Sequence, residues 1–437
     1  MAIPKQCDVV VIGGGPAGSV VAALLRQKQY DVVLLERKKH PRYAVGESLI
    51  PHFWKYCDAI GVGDAIRAEG FVRKSGGTLV WHNVIRQLAF RDFGYTEPAL
   101  HVERDRFDQI LLEHARHSGV QIFEEVSVSS VDLDGGERPR VMYRTPDGAE
   151  TGEVACRFVV DASGQGALIA KQLGTRVIDE GFRFMSVWGY FDGGKYVAGD
   201  GRAYDIEHLG TVLPQTFVSS VGGLGEWGWA WHIPLRKSTS VGLVLPVEHL
   251  KKIKATDEGL REYFLRKCSE IPYLGRLLEQ ARLIDGSIHM VRDYSYRSAQ
   301  LAGPGFFLIG DAAAFIDPIF SIGVVMGMYS ASVAVWAIDH SFRNPRQTTR
   351  NQAIFASQFR ARLEVSRSLA LPRYRGIGEA ADLARQAIQF ESLMEQELMY
   401  VVSVVTTRTD NFHEIAERRD GQKLVSTRFR ELQDIVF

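Results

Sequence analysis

Cys7-Asp8-Val9-Val10-Val11-Ile12-Gly13-Gly14-Gly15-Pro16-Ala17-Gly18 decides how this chain begins to fold. The valine-rich run 7–12 has the texture of a central parallel strand, apolar because both of its faces are covered. A turn with G-x-G-x-x-G spacing follows; 17–27 then reads as a helix and 30–35 as a second strand. That spacing carries little weight alone, but between a strand and a helix it marks a dinucleotide site. Gly13 permits the tight turn, Gly15 lets the backbone approach a pyrophosphate, and Gly18 allows close helix–strand packing. The N–H groups of the helix start, from Ala17 onward because Pro16 at its first position has none, offer the positive end of a dipole to phosphate. Glu36 ends the second strand, where an acid can accept hydrogen bonds from a ribose, and Arg37 follows it.

Outward from this unit, helical patterns fall at 53–68 and 104–116 and strand patterns at 121–133, 141–144 and 157–161. From 184 to 247 the texture changes to alternating, aromatic-rich segments separated by glycine. Residues 187–191, 216–221, 228–233 and 240–245 read as strands of a largely antiparallel sheet. The run 306–309 (FFLI) is again a buried strand, and beyond Val324 the pattern is mostly helical.

Lys+Arg and Asp+Glu both number 52, a balance that argues against nucleic acid or a membrane surface as partner. No stretch approaches the length of apolar run that a membrane span needs. Residues 1–8 lead straight into a strand, which leaves no room for a signal peptide. Cys7, Cys57, Cys156 and Cys268 form no CxxC pair, so a disulfide framework or zinc site is not expected, and a reducing cytoplasm is the simplest location.

Later landmarks choose the dinucleotide. Gly310-Asp311-Ala312-Ala313 follows the FFLI strand, Val160-Asp161-Ala162-Ser163-Gly164 follows another, and Arg104-Asp105-Arg106-Phe107-Asp108 opens a helix. In this order they resemble the flavoprotein monooxygenase superfamily, and the resemblance implies FAD, with Arg104, Asp161, Gly310 and Asp311 at the cofactor. The fold class expected is α/β: a Rossmann-type FAD-binding domain with an inserted, largely antiparallel β-sheet substrate domain and a helical C-terminal region. The expected divisions are 1–105 and 106–180 as the first two parts of the FAD-binding domain and 181–290 as the substrate-side sheet. Residues 291–340 are the third FAD-binding part, and 341–437 the helical end. No second G-x-G-x-x-G stands between a strand and a helix, and the segment after Asp161 reads ASGQGALIA without an arginine. Both features point to reduced flavin supplied by a separate flavin reductase.

Trp229-Ala230-Trp231-His232-Ile233-Pro234 resembles the W-x-W-x-I-P signature of flavin-dependent halogenases. Lys74, in a glycine-flanked stretch that alone reads as a solvated turn, stands where those enzymes carry an essential lysine. Val45-Gly46-Glu47-Ser48-Leu49-Ile50-Pro51 and Asp317-Pro318-Ile319-Phe320-Ser321 are also similar to that family, and the resemblance runs from about residue 5 to about 335. It is nearest the branch acting on phenols or pyrroles, often held on an acyl or peptidyl carrier protein, rather than the branch acting on free tryptophan.

The resemblance implies that reduced FAD and oxygen oxidise halide to hypohalous acid, which travels to a small aromatic substrate. Lys74, Ser321, Trp229 and Trp231 are the expected catalytic residues, Ile322 and Gly323 the halide site, and Ser48, Gly323 and Val324 further cofactor contacts. A strand places both indoles on one face, and a desolvated lysine can offer a free amine. Two features depart from the family. Ile322 replaces a hydroxyl residue beside the halide, and the region including 369–375 (LALPRYR) lacks the expected aromatic helix. A monooxygenase or desaturating oxidase that uses no halide is the alternative.

Overall fold

The computed structural model describes residues 2–370 and 429–437, apart from 82, 135–137, 146–147, 149, 222–227 and 256–258. β1 (Val9–Ile12) is buried along its whole length, as an apolar strand with neighbours on both sides must be. α1 (Pro16–Gln27) crosses over to β2 (Val32–Glu36), which pairs with β1 in parallel, Val9 opposite Val32. Among the described residues this sheet has six strands in the order 302–303, 306–308, 158–161, β1, β2, 121–124. Only the 302–303 edge pair is antiparallel. Three distant stretches of chain therefore build one sheet.

Two expected elements are interrupted. The helical pattern at 53–68 forms two helices, Phe53–Ile60 and Gly63–Ala68, because Gly61 adopts φ +85° and closes the first in the left-handed conformation. The strand pattern at 121–133 likewise divides. Gln121–Glu124 pairs with β2, Glu125 turns at φ +61°, and Ser127–Asp132 joins a separate three-stranded sheet.

β3 (Val72–Lys74) pairs antiparallel with β4 (Ala99–His101), Lys74 facing Ala99 and Val72 facing His101. Lys74 thus ends a strand and is 1% exposed, which corrects its reading as part of a solvated turn. The second large sheet has nine strands among the described residues. Its main path runs 282–283, 184–192, 239–246, β6 (Trp229–Pro234), β5 (Gln215–Ser220), 76–81, 84–89, 429–432, while 289–292 also pairs with 184–192. The junction between β5 and 76–81 is parallel and the others are antiparallel.

α2 (Gly323–Arg343) packs against α1, with Gly327 allowing the approach: a Cβ there would lie 3.2 Å from that of Ala17. α3 (Thr348–Ala370) packs on α2. The described C-terminal end is not helical. Phe429–Leu432 is a strand antiparallel to Val84–Ala89, held because the backbone at the sheet edge needs hydrogen-bond partners. Residues 371–375 of the stretch read as a departure from the family lie outside the described residues. All four cysteines are buried and free. Among the described residues no helix is long and apolar enough to cross a membrane, and no cluster of His, Cys, Asp and Glu could hold a metal.

Candidate active site

A cavity of about 1070 Å³ runs between the two large sheets, from the turn after β1 to the N-terminus of α2. That exceeds the range of roughly 300–1,000 Å³ usual for small-molecule sites, as a dinucleotide requires. Its first end is a turn built from glycines. Gly13 has φ +102°, and a Cβ on it would sit 2.4 Å from the Ala162 carbonyl oxygen. A Cβ on Gly18 would lie 1.9 Å from the Gly13 oxygen, so this helix can approach the turn only without a side chain. Gly15 faces the cavity, where an added Cβ would meet just the tip of Arg42 at 3.3 Å. The first turn of α1 holds no acid, and Pro16 and Ala17 face the same space. Backbone and dipole thus present an anion site.

Glu36 closes this end. Its carboxylate accepts from Gly14 N at 2.6 Å and Lys38 N at 2.9 Å, which fixes the turn and leaves its edge on the cavity. Arg37 lines the wall nearby. Arg104 donates two hydrogen bonds to buried Asp108, at 2.8 and 3.1 Å, and one to the Val45 carbonyl at 2.6 Å, tying the helix start to the 45–48 loop. Gly310 and Asp311 line the opposite wall. Burial pushes the Asp311 carboxyl up to about 6, with Arg104 pulling the other way. Asp161 is placed differently. Fully buried and not among the lining residues, it accepts from Ser163 N at 2.9 Å and Ile169 N at 2.8 Å and shapes the 162–168 wall from behind. Burial raises its carboxyl too.

At the other end, Asp317 accepts from Ile319 N at 3.0 Å, Ser321 N donates to the Pro318 carbonyl, and Ser321 is turned to φ +58°. A non-glycine residue held left-handed stores of order 1–2 kcal/mol, maintained here by the turn around it. The strain re-aims the chain so that α2 starts with Ile322 as its N-cap and Gly323 and Val324 in its first turn, all three facing the cavity. That turn also lacks an acid, so its amides can meet a flavin ring edge or a halide.

Lys74 lies behind this end, outside the set of lining residues. Nζ donates to Ser48 Oγ at 2.6 Å and to Thr216 Oγ1 at 2.8 Å. Ser48 Oγ is 2.8 Å from Ser321 Oγ, and both serines line the cavity, as does Thr216. A polar path therefore leads from the α2 N-terminus to the buried amine. Burial drives Lys74 well below the usual lysine range. Thr216 Oγ1 is also 2.8 Å from His101 Nε2, whose Nδ1 is 3.0 Å from the Pro234 carbonyl.

Trp229 and Trp231 lie on the cavity face of β6, ring centres 5.6 Å apart at 46°. Trp231 donates to Ser240 Oγ at 3.1 Å and lies over Gly242, where a Cβ would be 2.2 Å from the indole. The structure thus brings Lys74, Ser321, Ser48, both indoles and the 322–324 amides around one end, and Gly13, Gly15, Glu36 and Arg37 around the other. His101 and Thr216 escaped sequence reasoning, since each stands alone on its strand with no motif around it. Also missed was the cluster at the mouth, where Tyr190 donates to buried Glu47 at 2.6 Å and Trp188 Nε1 donates to Tyr43 Oη at 2.6 Å. The GES segment was legible, but nothing marked its aromatic partners.

The family model for the FAD binding domain matches residues 6–350, so most of the chain is an FAD-binding domain. It is 35% identical over 340 residues to the tryptophan 2-halogenase of Chondromyces crocatus, covering 77% of this chain and 62% of that protein. With the flavin-dependent halogenase armH3 of Armillaria mellea it shares 33% over 360 residues, 78% of this chain and 69% of the relative. The structure of the myxobacterial chondrochloren halogenase CndH superposes with a TM-score of 0.77 at 28% identity, covering 96% of this chain and 99% of that one. The chain belongs to the flavin-dependent halogenases. It spans about two thirds of the length of the two curated relatives named here.

Proposed function

We propose that the protein halogenates an electron-rich aromatic of the phenol or pyrrole type, using reduced FAD, oxygen and a halide. The observation that carries this reading is the link Ser321–Ser48–Lys74, which joins the cofactor cavity to a buried amine. Bound reduced FAD supplies, with oxygen, the oxidising equivalent that makes halide electrophilic. The protein does the rest. The amides of Ile322 and Gly323 hold an anion against the cofactor, and Trp229 and Trp231 fill the space through which an organic substrate would otherwise reach it. Lys74 receives the small electrophile and presents it to the arene, stabilising the charge that develops there. The Gly13–Gly18 cradle, Glu36, Arg37, Arg104 and Asp311 hold the cofactor, and Asp161 acts by shaping the wall. A separate flavin reductase supplies the reduced cofactor, and the four free thiols fit a reducing cytoplasm.

The test combines protein, FAD, flavin reductase, NADH, oxygen and chloride or bromide with a panel of phenols and pyrroles, offered free and as carrier-protein thioesters. Halide-dependent product is expected, and the preferred form identifies how the substrate arrives. Lys74→Ala is expected to abolish halogenation while flavin reoxidation continues; loss of both would mean misfolding. Ile322, apolar at the N-cap of α2, favours a second reading, oxygenation or dehydrogenation without halide. Product formed equally without halide, and unaffected by Lys74→Ala, would establish that alternative instead.

A further inference from the structure

The hydrogens around Lys74 can be counted. A carbonyl oxygen only accepts, so the 3.0 Å contact with Pro234 O fixes the proton of His101 on Nδ1. Nε2 is then an acceptor, and the hydroxyl 2.8 Å away must donate to it. With its one hydrogen committed to His101, Thr216 Oγ1 can only accept from Lys74. Ser48 accepts the second Lys74 hydrogen. A neutral amine has two hydrogens, and both are now placed. An ammonium would carry a third, and beyond the two hydroxyls the neighbour of Nζ is the Phe90 ring, 5.5 Å away at its centroid, which offers a π face and no lone pair. The titratable groups near Lys74 are His101 on β4 and, beyond it, His232 on β6. Burial holds both imidazoles below the usual histidine range, so each is neutral and His101 is a fixed acceptor, not a proton store.

We propose that His101, acting through Thr216, is a positioning residue that keeps the lone pair of Lys74 unshared and open to an electrophilic halogen. The inference concerns how the amine is prepared and rests on the halogenase reading only for its use. Without His101, the Thr216 hydrogen is released to its two remaining neighbours, the Lys74 nitrogen at 2.8 Å and Ser48 Oγ at 3.1 Å, and turned onto the nearer nitrogen it ties up the lone pair. Removing the hydroxyl as well removes that competitor.

The experiment is a double-mutant cycle with His101→Leu, Thr216→Val and the pair. FAD binding and melting temperature report folding. 15N NMR of protein labelled at lysine Nζ, with Lys74 assigned from Lys74→Met, reports the amine without any halogenation. In wild type, Lys74 is expected to give an amine signal, distinct from the ammonium signals, at neutral pH. His101→Leu is expected to shift it and to lower halogenation about tenfold with flavin reoxidation unchanged. Adding Thr216→Val should restore most of both. A wild-type ammonium signal overturns the inference, as does a signal indifferent to His101→Leu, or losses that simply add in the double variant. Absence of halide-dependent product with an amine signal intact would count against the halogenase reading alone.

Discussion

Ile322 is where a single side chain decides the most. It caps α2, its backbone amide is one of those proposed to hold halide, and its side chain adds no donor. A hydroxyl there would contribute one more hydrogen bond to an anion, about 1.5–3 kcal/mol or one to two decades in affinity. Ile322→Thr is expected to lower the halide KM by about ten- to a hundredfold in steady-state assays, with kcat little changed. Asp311 sets a pH dependence. Its folded carboxyl titrates near 6, above the ordinary 3.8, so the uncharged form favours the folded protein. That contribution is present below 3.8 and is lost as pH rises through about 6. In the role proposed for Asp311 the charged carboxylate is the stronger acceptor for a cofactor hydroxyl, so FAD affinity should fall as pH drops below about 6, measured by fluorescence titration, and Asp311→Asn should flatten the profile. Glycine spacing made the cradle legible in sequence. The Lys74 environment was not, because its neighbours come from residues 48, 101, 216 and 234, and only three-dimensional pairing makes a glycine-flanked lysine a buried one.

At the scale of elements, the strand–turn–helix start is held by contacts with no slack. Gly18→Ala would press a Cβ to 1.9 Å from a backbone oxygen, and neither side can rotate away. Overpacking of this kind costs roughly 1–3 kcal/mol. A lowered melting temperature together with loss of bound FAD absorbance is expected. Gly15→Ala is the contrast, since its Cβ meets only the far end of the Arg42 side chain at 3.3 Å, which can give by a few tenths of an ångström; it should melt like wild type yet bind FAD more weakly. The long helices and β1 were legible because period and length agree over many residues. The break at Gly61 and the strand 429–432 were not. A single glycine inside an amphipathic pattern does not announce its φ, and Phe-Arg-Glu-Leu is too short for alternation to register.

For the whole molecule, the second large sheet stands on a core of its own, and Ile435, 1% exposed, is part of it. Ile435→Ala removes buried methyl groups and should lower unfolding stability by about 2–5 kcal/mol in urea titration, although the residue is remote from the cavity. The same sheet joins Arg86 to Glu431, 345 positions apart in the chain. Contacts that distant form late, because the loop they close must first be searched, and sheets built from them fold slowly. Until the 429–432 strand docks, the 84–89 strand shows an open edge to any other chain it meets. Yield on renaturation is therefore governed by crowding of partly folded chains: dilution and cool conditions favour the monomeric product, and high concentration favours strand exchange between copies.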